Sequence, residues 1–353
     1  MGIELISSIS QFAPSVRNPD PTRVATAAKR AEAAGFDNVL VGYGSTSADG
    51  WMTASQALFH TTQLKALLAH RPGFMIPTVA ARLAATLDVY SGGRLTLNII
   101  TGGSAGDQRR DGDFEDHDTR YRRSVEYVEL MKRVWTATEP FDFQGDFYHV
   151  ERAFHQIKSV QKPHPRVYLG GASDAAKVLA GKQADVYMSW SEPVGEVRRR
   201  FDEIRELVLA EGRPAPGFSV SMRLILGDTE DDAWKRARAM IPAELATKPI
   251  RAAHSEDIGR NRQLALAATS DVHDERLWMG ITAITGGQGS TGALVGTVDQ
   301  VIASLLKYVE AGATHLLLTG PDGAYADFPP NLIPDLRMEA DKILASRRLF
   351  AAG

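Results

Sequence analysis

The stretch Ser91–Gly103, SGGRLTLNIITGG, decides the fold of this chain. A glycine turn leads into an apolar, β-branched run, Leu95–Ile100, which ends abruptly at a threonine and two glycines. This pattern is typical of a buried parallel strand that delivers polar groups to its carboxyl end. In α/β barrels that end carries the ligand site. We therefore predict that Asn98 and Thr101, small hydrogen-bonding residues beside glycines that allow close approach to the backbone, face a ligand.

Seven further predicted strands alternate with helices along the chain. A helix begins at Asp20-Pro21, a capping residue followed by proline, and ends at Gly35, while Thr297 and Gln300 make a capping box. Eight strand–helix pairs in strict order favour a closed parallel barrel, a TIM (β/α)8 barrel with insertions, over an open doubly wound sheet. The seven strands are Ile3–Ile9, Val39–Val41, Leu64–Ala69, Arg166–Leu169, Asp185–Trp190, Phe218–Leu226 and Thr314–Leu318.

No compositional break divides the chain, which predicts a single barrel domain over residues 1–353. The region 247–296 interrupts the alternation: it is polar, carries Arg251, Arg260 and Arg262, and includes the glycine-rich GGQGSTG at Gly286–Gly292. A structureless piece of this length inside a compact domain is usually a functional insertion, so we expect a lid. The alternative is a helical surface excursion without a role.

Composition excludes several classes of protein. Among 353 residues, 44% are hydrophobic and 24% charged, and the net charge of −3 comes without any block of like charges. We therefore expect no nucleic-acid or membrane partner. The N-terminus lacks a signal-peptide pattern and no apolar run approaches the roughly 18 residues of a membrane span, so a cytoplasmic location is expected. There is no cysteine, and the nine histidines show no HxH pair at a strand end, so no metal site is predicted.

Two features suggest where an anion could bind. The run Gly170-Gly171-Ala172-Ser173 falls at a strand-to-helix turn, where free N–H groups and the positive helix end suit a phosphate, although an ordinary glycine pair would look the same. On the strand Phe218–Leu226, Arg223 shares a face with Ser219 and Ser221. A buried arginine needs a partner, which could be an anionic substrate or an internal carboxylate.

Taken together, seven motifs resemble the bacterial-luciferase-like flavin-dependent monooxygenases, most closely the alkanesulfonate monooxygenases. The resemblance runs in order from about residue 20 to residue 320. It implies a TIM barrel with insertions that uses reduced FMN, supplied by a separate NAD(P)H-dependent flavin reductase, to insert one oxygen atom of O2 into a small-molecule substrate. It also implies a homodimer or homotetramer. The motifs are Asp37–Val41, Pro77–Asp88, Ser91–Gly103, His117–Arg122 (HDTRYR), Gly145–His149, Tyr168–Ala176 (YLGGASDAA) and Tyr187–Pro193 (YMSWSEP).

The resemblance also implies roles for individual residues. Trp190 would lie on the substrate side, although a tryptophan there could simply pack, and Arg223 would clamp an anionic substrate. His117 could instead cap a loop, and Arg120 could be a solvated charge. The implied cofactor-binding residues are Gly42, Tyr43, Asn98, Thr101, Asp107, His117, Arg120, Tyr121, Gly170, Gly171, Ala172 and Ser173.

Several positions depart from the sulfonate-oxidising pattern. Where relatives carry an arginine and a histidine two apart, this chain has Ser221 and Arg223, and Ser47 replaces a cysteine. Ser10 replaces a histidine, Thr285 an arginine, and Pro321 a tyrosine. The flavin contacts are kept while the sulfonate contacts are altered. We expect oxidation of an organosulfonate to sulfite and an aldehyde. The alternatives are an FMN monooxygenase with a non-sulfonate substrate, a deazaflavin-dependent oxidoreductase, and a flavin-binding protein without activity.

Overall fold

The computed structural model describes residues 2–9, 20–102, 105–242, 257–287, 290–323 and 326–351. The strands are β1 Glu4–Ile9, β2 Asn38–Val41, β3 Lys65–His70, β4 Leu95–Ile99, β5 Phe141–Gln144, β6 His149–Ala153, β7 Val167–Gly170, β8 Val186–Trp190, β9 Gly217–Leu226, β10 Val272–His273, β11 Leu277–Trp278, β12 Ala293–Gly296 and β13 His315–Thr319. The helices are α1 Pro21–Ala33, α2 Gly50–Phe59, α3 Pro77–Ser91, α4 Ala105–Arg110, α5 His117–Thr136, α6 Asp174–Gln183, α7 Val194–Ala210, α8 Glu230–Ala239, α9 Ile258–Thr269, α10 Ile281–Thr285, α11 Val298–Ala311 and α12 Leu332–Ala351.

Eight parallel strands close into a barrel in the order β1, β2, β3, β4, β7, β8, β9, β13, and helices surround it. The last pairing, of β8 with β9, completes the circle. The predicted TIM (β/α)8 barrel is confirmed, and its eight strands are the eight predicted ones. Because the strands are parallel, their carboxyl ends all lie at one rim, which we call the mouth.

Local signals set the ends of several helices as expected. Asp20 caps α1 by accepting a hydrogen bond from the Thr22 N–H, and Gly35 follows the helix with φ +90°. Thr297 and Gln300 form the predicted capping box at the start of α11. Strands β5 and β6 form a hairpin whose turn contains Gly145.

The barrel interior is filled away from the mouth. A buried polar layer at the amino-terminal end joins Glu4 to Asn38 and Lys65. An apolar layer that includes Ile6 and Leu67 lies above it. Towards the mouth, interior positions such as Asn98 are only partly buried.

The region 247–296 is not structureless within its described part, and that expectation was wrong. Helix α9 contributes buried side chains such as Leu264 and Ala267, and β10–β12 extend the main sheet through pairing of β12 with β9. Strand β9 is long enough to pair with β8 along its first half and with β12 along its second half. Residues 247–256, with Arg251, and 288–289 lie outside the described residues.

Among the described helices, none combines the length and the apolar character that crossing a bilayer requires.

Candidate active site

The turn between β7 and α6 has the geometry of an anion cradle. Gly171 adopts φ +138°, and a side chain there would place its Cβ 2.6 Å from the Ala176 Cβ and 3.0 Å from the Tyr121 hydroxyl. Ser173 is the N-cap of α6, and its Oγ accepts a hydrogen bond from the Ala176 N–H at 3.2 Å. The helix N-terminus therefore points its positive end and its free N–H groups at the space beside Gly171.

The Tyr121 hydroxyl joins this turn to the end of β4. Tyr121 lies one turn into α5, and its hydroxyl is close enough to those of Thr101 and Ser173 for both to oppose the effect of burial on its pKa. Burial raises the pKa of Tyr121, so the phenol stays protonated and can donate. Hydroxyl groups from three separate elements thus lie near one another beside Gly171, and such groups are among those that bind phosphate oxygens.

Arg120 and His117 flank the same helix start. Arg120 is buried, and its Nη1 donates to the Glu115 carbonyl at 2.6 Å, while its Nε has no hydrogen-bond partner among the described residues. His117 is the first residue of α5; its ring packs 4.8 Å from that of Tyr121, and its Nδ1 lies 2.7 Å from an Asp118 oxygen. A buried guanidinium with an idle donor is an expensive arrangement unless a ligand completes it.

A second group of predicted residues lies beside β2 and β3. The Tyr43 hydroxyl donates to Asp111 at 2.7 Å, and the Arg71 guanidinium lies 4.2 Å above the Tyr43 ring. Asp107 accepts hydrogen bonds from Ser45 and from Arg71, the latter at 2.6 Å. Burial opposes ionisation of Asp107, but these donors outweigh it and lower its pKa. Asp107 and Tyr43 are therefore held in an internal network through Arg71.

Asn98 and Gly42 sit at strand ends within this rim. Asn98 pairs with Tyr168 across the β4–β7 register and is partly exposed, as expected for a side chain at the mouth. Gly42 directly follows β2. No described residue forms a side-chain hydrogen bond with Asn98, so its amide is available to a ligand.

Helix α9 lies over the mouth next to Trp190. A Cβ on Gly259, in the first turn of α9, would come within 2.7 Å of the Trp190 ring. Trp190 ends β8 and is in register with Ser221 on β9. At the N-cap of α9, the Asp257 carboxylate is close enough to raise the Tyr121 pKa. The described part of this region therefore contacts the rim at Trp190 and lies close to Tyr121.

Arg223 has protein partners. Its Nε donates to the Ser290 carbonyl at 2.9 Å and its Nη1 to the Pro321 carbonyl at 2.6 Å, with the charge of Asp322 also acting on it. The guanidinium thus ties the segment before β12 to the segment after β13. No hydrogen bond uses Nη2 among the described residues, so one edge remains for a ligand.

The departures from the sulfonate pattern are spread around the rim. Ser47 closes a tight turn by donating to the Gly44 carbonyl at 2.8 Å, and the Ser221 carbonyl accepts from Ser290 at 2.9 Å. Thr285 ends α10, where its hydroxyl donates to the Ile281 carbonyl. Ser10 lies outside the described residues.

Three residues of this region, Arg71, Tyr187 and Glu192, were not predicted from the sequence. Arg71 directly follows β3, and an arginine at the carboxyl end of a barrel strand is itself a signal. Tyr187 and Glu192 belong to the quoted YMSWSEP motif, in which only Trp190 was interpreted. The described residues contain no group of three or more side chains suited to a metal ion.

Comparison with known proteins assigns the family. The chain belongs to the luciferase-like monooxygenase family, whose profile matches residues 1–315. Its fold is similar to that of EDTA monooxygenase from Chelativorans sp. BNC1, with a TM-score of 0.77 and 18% identity over 97% of this chain and 95% of that one.

Two further solved structures share the fold. One is a riboflavin lyase solved with a modified FMN and riboflavin, with a TM-score of 0.77 and 18% identity over 97% of this chain and 92% of that one. The other is an F420-dependent secondary alcohol dehydrogenase, with a TM-score of 0.69 and 19% identity over 96% of this chain and all of that one (100%). At these identities the likeness concerns the fold alone.

Proposed function

We propose that this chain is the oxygenating component of a two-component, FMN-dependent monooxygenase that oxidises an organosulfonate. Reduced FMN would come from a separate NAD(P)H-dependent flavin reductase. The balanced reaction is R–CH2–SO3⁻ + FMNH2 + O2 → R–CHO + HSO3⁻ + FMN + H2O. One oxygen atom enters the substrate carbon, the C–S bond breaks, and the other oxygen atom leaves as water.

The proposal that the chain binds FMN is supported by a set of hydroxyl groups beside Gly171. They belong to Thr101, Tyr121 and Ser173. A phosphate at this point would accept hydrogen bonds from them and would face the N-terminus of α6. The unused Arg120 Nε supplies a positive charge from a buried position. This donor set fits the phosphate of FMN.

Bound FMN supplies the chemistry that activates O2 for transfer to the substrate. The chain's own residues would hold and shield it. Asn98 offers a free amide to the polar edge of the ring, and α9 with Trp190 limits the entry of water. Arg223, through its unused Nη2 edge, would face the anionic end of the substrate.

The sulfonate assignment rests on the resemblance of YMSWSEP and on Arg223, and a non-sulfonate substrate is the first alternative. The second alternative is hydride transfer without O2, because one protein of similar fold is an F420-dependent dehydrogenase. A flavin-binding protein without activity is the third.

We also propose a cytoplasmic homodimer or homotetramer. The neighbouring helices α2 and α3 expose six large apolar side chains, Val89 among them. The other five recur every seven residues along each helix and so share a face. Burying such a face against another subunit removes it from water. The five are Met52 and Phe59 on α2, and Ile76, Leu83 and Tyr90 on and beside α3.

A two-stage experiment tests this function. Flavin fluorescence is first titrated with the protein, using oxidised FMN and then reduced FMN without oxygen; tighter binding of the reduced form is expected. The protein is next combined with a generic flavin reductase, and sulfite release is measured across alkyl and sugar sulfonates. Failure to bind flavin in either redox state refutes the function. Oxygen consumption with non-sulfonate substrates alone supports the first alternative, and hydride transfer without oxygen consumption supports the second.

A further inference from the structure

A buried tyrosine lies directly behind the glycine turn. The Tyr187 hydroxyl donates to the Gly171 carbonyl at 2.6 Å, and the side chain is fully buried on the outer face of β8. The C=O and the N–H of one trans peptide point in opposite directions. The hydrogen bond to Tyr187 therefore turns the Ala172 N–H to the other side, and no described residue accepts a hydrogen bond from that N–H.

The same hydroxyl contacts a buried ion cluster. The positive charge of Arg200 is close enough to Tyr187 to oppose the effect of burial on the pKa of its hydroxyl, and the Arg200 Nη2 donates to Glu192 Oε2 at 2.9 Å. Glu192 also accepts two hydrogen bonds from Arg262, at 2.8 Å and 2.7 Å. Burial disfavours ionised Glu192, but the two arginines outweigh it and lower the pKa of its carboxyl.

Arg262 belongs to α9, so the cluster connects two parts of the molecule. A series of contacts therefore runs from the Gly171 carbonyl to α9: hydrogen bonds join Gly171 to Tyr187, Arg200 to Glu192 and Glu192 to Arg262, and the charge of Arg200 acts on the Tyr187 hydroxyl. Gln263, the next residue of α9, fixes the same helix by donating to the Ser191 carbonyl at 2.9 Å. The helix that covers the mouth is thus tied to the peptide that shapes the cradle.

Stability alone is a poor explanation for this arrangement. Burying an ion pair costs as much desolvation energy as the pair returns, and apolar replacements are often neutral or stabilising. A bidentate arginine–carboxylate pair does impose a geometry on the groups that it joins. We therefore expect the cluster to set the positions of Tyr187 and α9 relative to each other.

We infer that Tyr187 and Glu192 are positioning residues that couple phosphate binding at the Gly171 turn to the docking of α9 over the mouth. The inference rests on the proposed flavin function. A phosphate that accepts a hydrogen bond from the Ala172 N–H fixes the peptide between Gly171 and Ala172, whose carbonyl is held by Tyr187. An ordered Tyr187 in turn favours the contact between Glu192 and Arg262. Coupling of this kind is reciprocal, so docking of α9 tightens phosphate binding by the same factor.

The test compares ligands with and without the phosphate. Tyr187→Phe keeps the ring and removes only the hydroxyl. We expect this change to weaken FMN binding roughly tenfold, within the usual range for coupled sites, and to leave the affinity for riboflavin unchanged. In the unaltered protein, FMN should slow tryptic cleavage after Arg260 and Arg262, and this protection should be lost in Tyr187→Phe. Arg262 lies on the partly exposed side of the cluster. Arg262→Met should, like Tyr187→Phe, reduce the ratio of FMN affinity to riboflavin affinity.

Tyr308→Phe is the matched control. Tyr308 is equally buried and its hydroxyl donates to the Glu192 backbone carbonyl at 2.9 Å, but it does not contact the Gly171 turn. In Tyr308→Phe, the ratio of FMN affinity to riboflavin affinity should equal that of the unaltered protein. An unchanged ratio in Tyr187→Phe, or an equal change in Tyr308→Phe, overturns the coupling and leaves the proposed function standing. If the unaltered protein binds no FMN, the proposed function fails and the coupling fails with it.

Discussion

Replacing Ser173 by aspartate separates phosphate binding from stability. Ser173 caps α6 through its Oγ, and aspartate is as good an N-cap as serine, so the free energy of unfolding should change by less than ~0.5 kcal/mol. The new carboxylate would, however, stand where a phosphate is proposed to bind. At about 4 Å and an effective dielectric constant of about 20, two unit charges repel by about 4 kcal/mol. We expect Ser173→Asp to weaken FMN binding roughly 100- to 1,000-fold, because each 1.4 kcal/mol is about tenfold.

The assay is fluorescence titration with FMN and with riboflavin, combined with denaturant unfolding. Riboflavin lacks the phosphate, so its affinity should be the same in Ser173→Asp and in the unaltered protein. Ser173→Ala is the control: it should lose about 1 kcal/mol of stability with the cap and bind FMN only about fivefold more weakly. An FMN affinity in Ser173→Asp within threefold of the original would place the phosphate elsewhere and refute the reasoning.

Three further predictions concern other parts of the chain. Arg223→Met should weaken sulfonate binding by roughly 2–5 kcal/mol while FMN affinity is kept; an unchanged sulfonate KM would mean that Arg223 only joins the Ser290 and Pro321 carbonyls. Burial lowers the pKa of His70 to about 4. Between pH 6.5 and pH 4 the unfolded chain therefore binds more protons at this residue than the folded chain does. As the pH drops through that window, the free energy of unfolding should fall by up to about 3 kcal/mol. His70→Gln should have a flatter stability profile in the same window, and equal slopes would contradict this. Leu83→Glu should shift the protein to a smaller species in sedimentation analysis with the barrel's circular dichroism unchanged; an unaltered sedimentation coefficient would exclude this face of α3 from the interface.

The local sequence was enough to predict the barrel. Strand ends such as Thr101, the alternation of strands and helices, and helix caps such as Asp20 depend on neighbours within a few residues, and all appear in the structure. The turn at Gly171 was found for the same reason, because a glycine pair between a strand and a helix N-terminus is a short-range pattern. Helix α9 was missed as an ordered element because only a few of its residues, such as Leu264, are buried, which leaves a weak apolar periodicity.

The partners of the polar residues were decided by the tertiary structure. The sequence predicted that Thr101, Tyr121 and Ser173 serve one site, yet their contact depends on the register of β4 with β7 and on where α5 packs. For Arg223 the sequence left a substrate and an internal carboxylate equally open. The structure instead provides two backbone carbonyls from segments far along the chain, Ser290 and Pro321. Hydrogen-bond partners separated by tens of residues are chosen by strand register and loop path, which no local pattern encodes.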